Sequence, residues 1–272
     1  MGAKILFLDL DGTLLNNKKE VTPENRAALE QARAAGCRIA ISTGRALPGA
    51  MGLVRQLELT GEGCYVSASN GGVLYDCGLD KVIARRFLGV EDAEKLLAYA
   101  REKQLHAQTY DGQGVVVEHP FNEPLVEEYC RINAMPWRVV NSLAQSLDEP
   151  PVKVLLVGQE DRVALEEAKA WMAEYMSGRV ESFYSSPIFL DIMPAGVNKG
   201  YGVRELCRHL GIPVELSVAA GDEANDIPML EAAGVGAAMI NAAPEVRTAA
   251  DYVTTRDNNH SGVAEIVEKF CL

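Results

Sequence analysis

Apolar runs of strand length alternate with amphipathic stretches along most of this 272-residue chain. The first run, Ile5-Leu6-Phe7-Leu8, is apolar at every position and gives way to Asp9-Leu10-Asp11-Gly12-Thr13. A continuous apolar run bounded by turn residues predicts a strand buried on both faces. Residues 23–35 predict a helix, with Thr22 as N-cap, Pro23 in the first turn and Gly36 as the stop. Residues 37–42 form a second apolar run that ends in Thr43-Gly44-Arg45. Strand, helix and strand at this spacing predict a βαβ unit, hence a parallel sheet with a right-handed crossover. A segment at 47–58 leads to a third strand at 65–68, then to Ser69-Asn70-Gly71-Gly72 and a short strand at 73–75.

The pattern changes between about residues 89 and 187. It predicts a helix at 91–103, strands at 105–110 and 114–118, and a helix at 122–132. A strand at 152–157, a helix at 161–176 and strands at 179–184 and 188–193 follow. Paired strands without strict alternation describe an α+β block. Alternation then resumes: helix 198–210, strand 216–220, helix 226–233, strand 236–240, and helices at 244–250 and 262–270. The expected fold is α/β, a doubly wound, Rossmann-like parallel-sheet core built from residues 1–84 and 190–272. An α+β domain, 85–189, is inserted into it, with hinges near 84–90 and 185–195. Insertion at a loop is the tolerated way to interrupt a sheet.

Net charge is −12. That disfavours nucleic acid and anionic membranes as partners, which attract Lys and Arg clusters; one local site can still take a small phosphate ester. No uncharged run is long enough for a membrane span. The first strand starts so early that no signal peptide is expected, and the six cysteines include no CxxC pair. A cytoplasmic protein with reduced thiols is the expectation. His106, His119, His209 and His260 lack ligand spacing, and Trp137 and Trp171 suit packing. Neither a Walker-type GxxxxGK[ST] nor a GxGxxG motif occurs.

In open α/β sheets, ligands sit beyond the carboxyl ends of the strands. Four such ends carry chemistry: Asp9 with Asp11, Thr43, Asn70, and Asp222 with Asn225 and Asp226, while Lys199 opens a helix. A period of two points Asp9 and Asp11 the same way if the strand continues past Asp9. Ser69-Asn70-Gly71-Gly72 is a ligand-facing loop or a simple β-turn. Arg45 contacts substrate or the inserted domain, or pairs with a carboxylate. The carboxylate-rich, His- and Cys-free set suits Mg²⁺. Without a cation and a lysine, these carboxylates repel a phosphate dianion.

Asp9-Leu10-Asp11-Gly12-Thr13, Thr43, Lys199 in Asn198-Lys199-Gly200, and Gly221-Asp222 with Asn225-Asp226 resemble, in order, the four motifs of the haloacid dehalogenase superfamily. The long insert, Thr43-Gly44-Arg45, Ser69-Asn70-Gly71-Gly72, Asn241-Ala242 and Gly262-Val263 resemble its Cof-type, sugar-phosphatase-like branch. The resemblance implies a Mg²⁺-dependent phosphatase of small phosphorylated metabolites, with sugar phosphates the expected class, working through an aspartyl-phosphate. It implies Asp9 as nucleophile and Asp11 as acid and then base, with Thr43 and Lys199 completing the catalytic set. Asp9, Asp11 (through its carbonyl) and Asp222 would hold Mg²⁺, with Asp226 behind them. Thr43, Gly44, Arg45, Asn70, Gly71, Lys199 and Asn225 would bind substrate. The insert would be a mobile cap that reads the leaving group. A phosphomutase or phosphotransferase on the same scaffold, or a non-catalytic binder of phosphometabolites, are the alternatives. Monomer and homodimer stay open.

Overall fold

The computed structural model describes residues 2–158 and 162–272. The chain falls into two compact units, one of residues 1–43, 53–84 and 198–272, the other of 44–52 and 85–197.

The first unit is built on an eight-stranded sheet. Its elements are β1 (Ile5–Leu8), α1 (Pro23–Ala34), β2 (Arg38–Ser42), β3 (Cys64–Ala68), β4 (Val73–Asp76) and β5 (Lys81–Arg85) from the first part of the chain. The helix α2 (Leu47–Gln56) spans the boundary between units. The remainder are α7 (Lys199–Leu210), β12 (Ser217–Gly221), α8 (Ile227–Ala232), β13 (Val235–Ala238), α9 (Pro244–Ala249), β14 (Tyr252–Val253) and α10 (Gly262–Phe270). Strand order is β14-β13-β12-β1-β2-β3-β4-β5. From β14 to β3 every pairing is parallel, and β4 returns antiparallel to β3. All four β1 residues are fully buried, which is why this run carries no polar alternation. Thr22 accepts a hydrogen bond from the Asn25 amide at the start of α1. The buried Asn25 in turn accepts one from the Ala264 amide, tying α1 to α10.

The second unit holds a six-stranded sheet of order β10-β11-β9-β6-β7-β8. Its elements are α3 (Val90–Glu102), β6 (His106–Tyr110), β7 (Val115–Glu118), α4 (Glu123–Asn133), β8 (Trp137–Val140), α5 (Leu143–Ser146), β9 (Val154–Val157), α6 (Val163–Tyr175), β10 (Val180–Ser186) and β11 (Phe189–Pro194). One apolar cluster joins Leu96, Leu97, Val116, Val154, Leu156, Leu165 and Met172; a second joins Val115, Val117, Val126, Tyr129, Leu155 and Val157. Alternate residues of the same strands thus serve opposite faces. No helix among the described residues is long and apolar enough to cross a membrane.

The structure moves two expected boundaries. Residues 190–197, assigned above to the core, belong to the second unit, because β11 pairs with β9 and β10. Residues 44–52, also assigned to the core, group with the second unit as well. There the Gly44 carbonyl accepts a 2.8 Å hydrogen bond from Lys153 Nζ. The helix expected at 161–176 is α6; residue 161 lies outside the described residues.

Two helical glycines separate packing from propensity. A Cβ on Gly200 in α7 would overlap the Pro228 carbonyl of α8, whereas one on Gly52 in α2 meets nothing within 4 Å. Gly200→Ala should therefore lose about 1–3 kcal/mol of stability, and Gly52→Ala should gain up to about 1 kcal/mol. Urea unfolding of both variants measures this; equal and opposite-signed results to these would overturn the packing argument.

Candidate active site

The strand β1 delivers Asp9 to the carboxyl edge of the sheet, where its amide donates to the Ala220 carbonyl at 3.0 Å. The chain then leaves extended geometry at once. Leu14 N returns to Asp9 O at 3.3 Å and Leu15 N to Leu10 O at 2.8 Å, with Gly12 at a φ of 83°. This turn separates the two aspartates. Asp9 is buried, but Asp11 faces outward and pairs with Lys19 Nζ at 2.6 Å, its side chain 43% exposed. The common direction expected from a period of two is absent, because the strand ends at Leu8 and a left-handed glycine redirects the chain.

The helix α7 begins with an Asn198 cap, its Oδ1 accepting from Tyr201 N at 3.0 Å. That cap sets Lys199 in the first turn, 1% exposed. Its Nζ donates to Asp9 Oδ1 at 2.6 Å and to Asp226 Oδ1. After β12, Asp222 accepts from Thr13 Oγ1 at 2.7 Å. Asp226 Oδ2 accepts from the amides of Asp222 at 2.9 Å and Glu223 at 3.0 Å. A Cβ on Gly12 would overlap the Asp222 carboxylate, and one on Gly221 would overlap the Asp226 side chain. Backbone without side chains is what lets these carboxylates converge. Asp9, Asp222 and Asp226 each offer one oxygen within 4.8 Å of the others.

Thr43 is buried at the end of β2, its amide on Ser67 O at 2.9 Å and its carbonyl accepting from Asn70 N at 3.0 Å. Asn70 and Gly71 are both left-handed, at φ 51° and 93°. A Cβ on Gly71 would come within 2.5 Å of the Asn198 carbonyl, which explains the glycine. Asn225 Nδ2 donates to Asn70 Oδ1 at 3.4 Å. Asp9, Thr43, Asn70, Gly71, Lys199, Asp222, Asn225 and Asp226 all lie in the first unit; Gly44 and Arg45 lie in the second.

Burial pushes the Asp9 carboxyl up to about 8; Lys199 pulls it down, while Asp226 and Asp222 push it further up. Burial likewise takes Asp222 up to about 7, against the Thr13 hydrogen bond and with help from Asp226 and Glu223. Burial works to lower the Lys199 ammonium, but Asp226 and Asp9 outweigh it and hold it above its ordinary value. Fully ionised, three carboxylates face one ammonium, and two negative charges stay uncompensated. The donors are all carboxylate oxygens, with no His or Cys in the cluster. Such a hard, anionic set fits a divalent cation of the Mg²⁺ kind.

A family model for haloacid dehalogenase-like hydrolases matches residues 6–267. The chain belongs to this family. Among relatives of the hydrolase is a Bacillus subtilis (strain 168) protein named "Putative phosphatase YxeH", 33% identical over 274 residues, which span 99% of this chain and 98% of the relative. A haloacid dehalogenase-like hydrolase from Bacteroides thetaiotaomicron has a solved structure 33% identical, with a TM-score of 0.87 over 98% of this chain and 99% of that one. The HAD subclass IIB sugar phosphatase BT4131 is 26% identical, with a TM-score of 0.80 over 98% of both chains.

Sequence reasoning on the hydrolase passed over three groups. Thr13 is one, though its place after Asp11-Gly12 puts a hydroxyl on the same turn. Lys19 is another, eight residues from Asp11 in an exposed loop with no pattern to mark it. The third is Asn241, which was noted only as part of a tail motif and whose Nδ2 donates to the Gly12 carbonyl at 2.8 Å. Asp11, expected at the metal through its carbonyl oxygen, does not add its carboxylate to the three-oxygen cluster.

The raised carboxyls carry a pH signature. From the ordinary carboxyl value of 3.8 up to about 8 for Asp9 and about 7 for Asp222, the native carboxyls hold protons that the unfolded chain releases. Their stabilisation is present below that window and is lost as pH rises through it. The melting temperature of metal-free protein should therefore fall from pH 5 to pH 8, and fall less in Asp222→Asn. Scanning calorimetry across that range tests it; an identical slope in variant and wild type would refute the assignment.

Proposed function

We propose that this phosphatase hydrolyses small phosphorylated metabolites, sugar phosphates the leading class, by Mg²⁺-assisted transfer of the phosphoryl group to Asp9 and then to water. The observation that carries the reading is the position of Asp9, at the carboxyl end of a buried strand, held by Lys199 and adjacent to Asp222 and Asp226. Its likeness to a sugar phosphatase supports the substrate class. Asp9 and Asp222 would hold the cation, and its chemistry is to neutralise carboxylates and phosphoryl oxygens together.

Lys199 keeps one Asp9 oxygen directed, leaving the other to attack phosphorus. The Thr43 hydroxyl and the Lys199 ammonium orient the phosphoryl oxygens and offset the charge that grows on them. Asp11 protonates the leaving alkoxide and later takes a proton from the attacking water. Its exposed pair with Lys19 suits that role, since a solvent-screened ion pair is weak and lets the side chain move. Asp226 bonds two amides and Lys199, so it positions the lysine. The second unit, residues 44–52 and 85–197, supplies recognition of the leaving group.

The two neighbouring aspartates should fail differently. Asp9→Asn should abolish turnover of every substrate and form no acid-stable phospho-enzyme. Asp11→Asn should lose roughly 10²–10⁴-fold with sugar phosphates but less with p-nitrophenyl phosphate, whose leaving group needs little protonation, and should accumulate phosphate on Asp9. Acid quench and peptide mapping decide; phosphate found on Asp11 would reverse the roles. Phosphate release without an added acceptor sugar distinguishes hydrolysis from phosphotransfer, and full turnover in excess EDTA would sink the metal requirement.

A further inference from the structure

The turn that carries Asp11 is held from the far end of the chain. Gly12 sits at a φ of 83°, and its carbonyl accepts a 2.8 Å hydrogen bond from Asn241 Nδ2. The other end of that amide, Asn241 Oδ1, accepts from Asn258 N at 3.1 Å. Asn258 is 4% exposed. Its Nδ2 donates to the Leu15 carbonyl at 2.9 Å and to Asn17 Oδ1 at 3.3 Å. Asn259 Oδ1 accepts from Asn17 N at 3.0 Å. Residues 15–21 form a short hairpin, with Leu15 bridged to Val21 and Asn16 N on Glu20 O at 2.9 Å. That hairpin brings Lys19 to Asp11.

The asparagines are themselves fixed. Asn241 stands on a tight turn after β13, where Ala242 N donates to Met239 O at 2.9 Å and Ile240 N to the buried Thr254 Oγ1 at 3.0 Å. Asn258 opens a single 3₁₀ turn, and Asp257 ahead of it accepts from the amides of Asn259 and His260 at 2.9 Å each. A Cβ on Gly262 would overlap the Arg256 carbonyl and the Met239 side chain, so this glycine lets the loop before α10 close on the end of β13.

We propose that Asn241 and Asn258 are positioning residues for Asp11, an inference that rests on its role above as the acid for the leaving group. A side-chain amide donates at one atom and accepts at another, and Asn241 uses both. The peptide group is planar, so holding the Gly12 carbonyl also orients the Thr13 amide. Glycine backbone gives way most readily. The turn's own bonds, Leu14 N to Asp9 O and Leu15 N to Leu10 O, do not reach the Gly12 carbonyl. Asp9 is secured separately, by the Ala220 carbonyl on its amide and by Lys199. Loss of the asparagines therefore falls on the step that needs Asp11, protonation of the leaving oxygen, and spares attack by Asp9.

The test is kcat/KM of Asn241→Ala and Asn258→Ala with phenyl phosphate and p-nitrophenyl phosphate. The two esters share a shape and differ in how much protonation the leaving oxygen needs. Phenyl phosphate should lose roughly threefold to tenfold, the range one net hydrogen bond supplies. The nitrophenyl ester should lose less than about twofold. A merely structural defect lowers the active fraction and so costs both esters equally. In an Asp11→Asn background, Asn241→Ala should cost no more, because groups acting as one unit are not additive. Equal losses with the two esters, no loss with either, or full additivity would overturn the proposal. Asp11→Asn alone must show the same split. If it does not, the acid role of Asp11 fails, and hydrogen exchange decides the hold on its turn: amides of residues 10–21 must exchange faster in Asn241→Ala than in wild type, and unchanged exchange refutes it. Asn241 is exposed, so its substitution opens no core, and an Asn258→Ala that fails to fold does not leave the question open.

Discussion

A buried ammonium among three carboxylates is the constraint on which the first unit's geometry turns. Lys199 sits in the first turn of α7, where the helix dipole disfavours a cation, and it is almost without solvent. Desolvating an ammonium costs several kcal/mol, which a single pair offsets only with excellent geometry. Asp9 and Asp226 together meet that condition, one through a strand end and one through a short capped turn. The surrounding glycines follow from it. Gly12 and Gly221 have no side chain because the carboxylates of Asp222 and Asp226 occupy the space where one would stand. Once Lys199 is satisfied, Asp222 remains as surplus negative charge. At ~4 Å and an effective dielectric of about 20, each added like charge costs roughly 4 kcal/mol. The cluster is thus stable with protons or with a cation, and the function proposed above calls on the second.

Much of this was legible because it rests on local pattern. The apolar run at 5–8 and the Thr22 cap each declare an element, and the helix expected from residue 198 puts Lys199 at its start. Three strands were not legible. β5 is half-exposed with charged ends, β8 carries exposed Arg138 and Val139 after Pro136, and β14 has two residues. Each is an edge or near-edge piece whose sequence need not be apolar, since only one side of it is paired or covered. The separation of Asp9 from Asp11 was also hidden. It depends on a φ of 83° at Gly12, and a glycine in sequence permits that value without requiring it.

The second unit hides a different device. Lys153 and Asp191, nearly without solvent, pair at 2.8 Å beside an apolar cluster. The Lys153 ammonium lies 4.9 Å from the Tyr110 ring centre and holds the Gly44 carbonyl. No periodicity announces it, because Lys153 just precedes β9 while Asp191 lies on β11, far along the sequence. Its consequence is that Gly44, next in the chain after Thr43, is fastened by a side chain from β9's entry. A buried ion pair is weak evidence for net stability, so its definite effect here is positional: the Gly44 carbonyl is held by an ammonium that Asp191 keeps in place.

Strand direction in a parallel sheet gathers the charged groups of the first unit at one edge. Every carboxyl end from β1, β2 and β12 delivers a group to the acidic cluster or its surroundings, and the amino ends deliver Cys37 and the chain termini to the opposite edge. A strand of five residues spans roughly 16 Å at about 3.3 Å per residue. The charged groups therefore stand beyond the ends of the strands, where they do not interrupt the paired backbone that holds them in place.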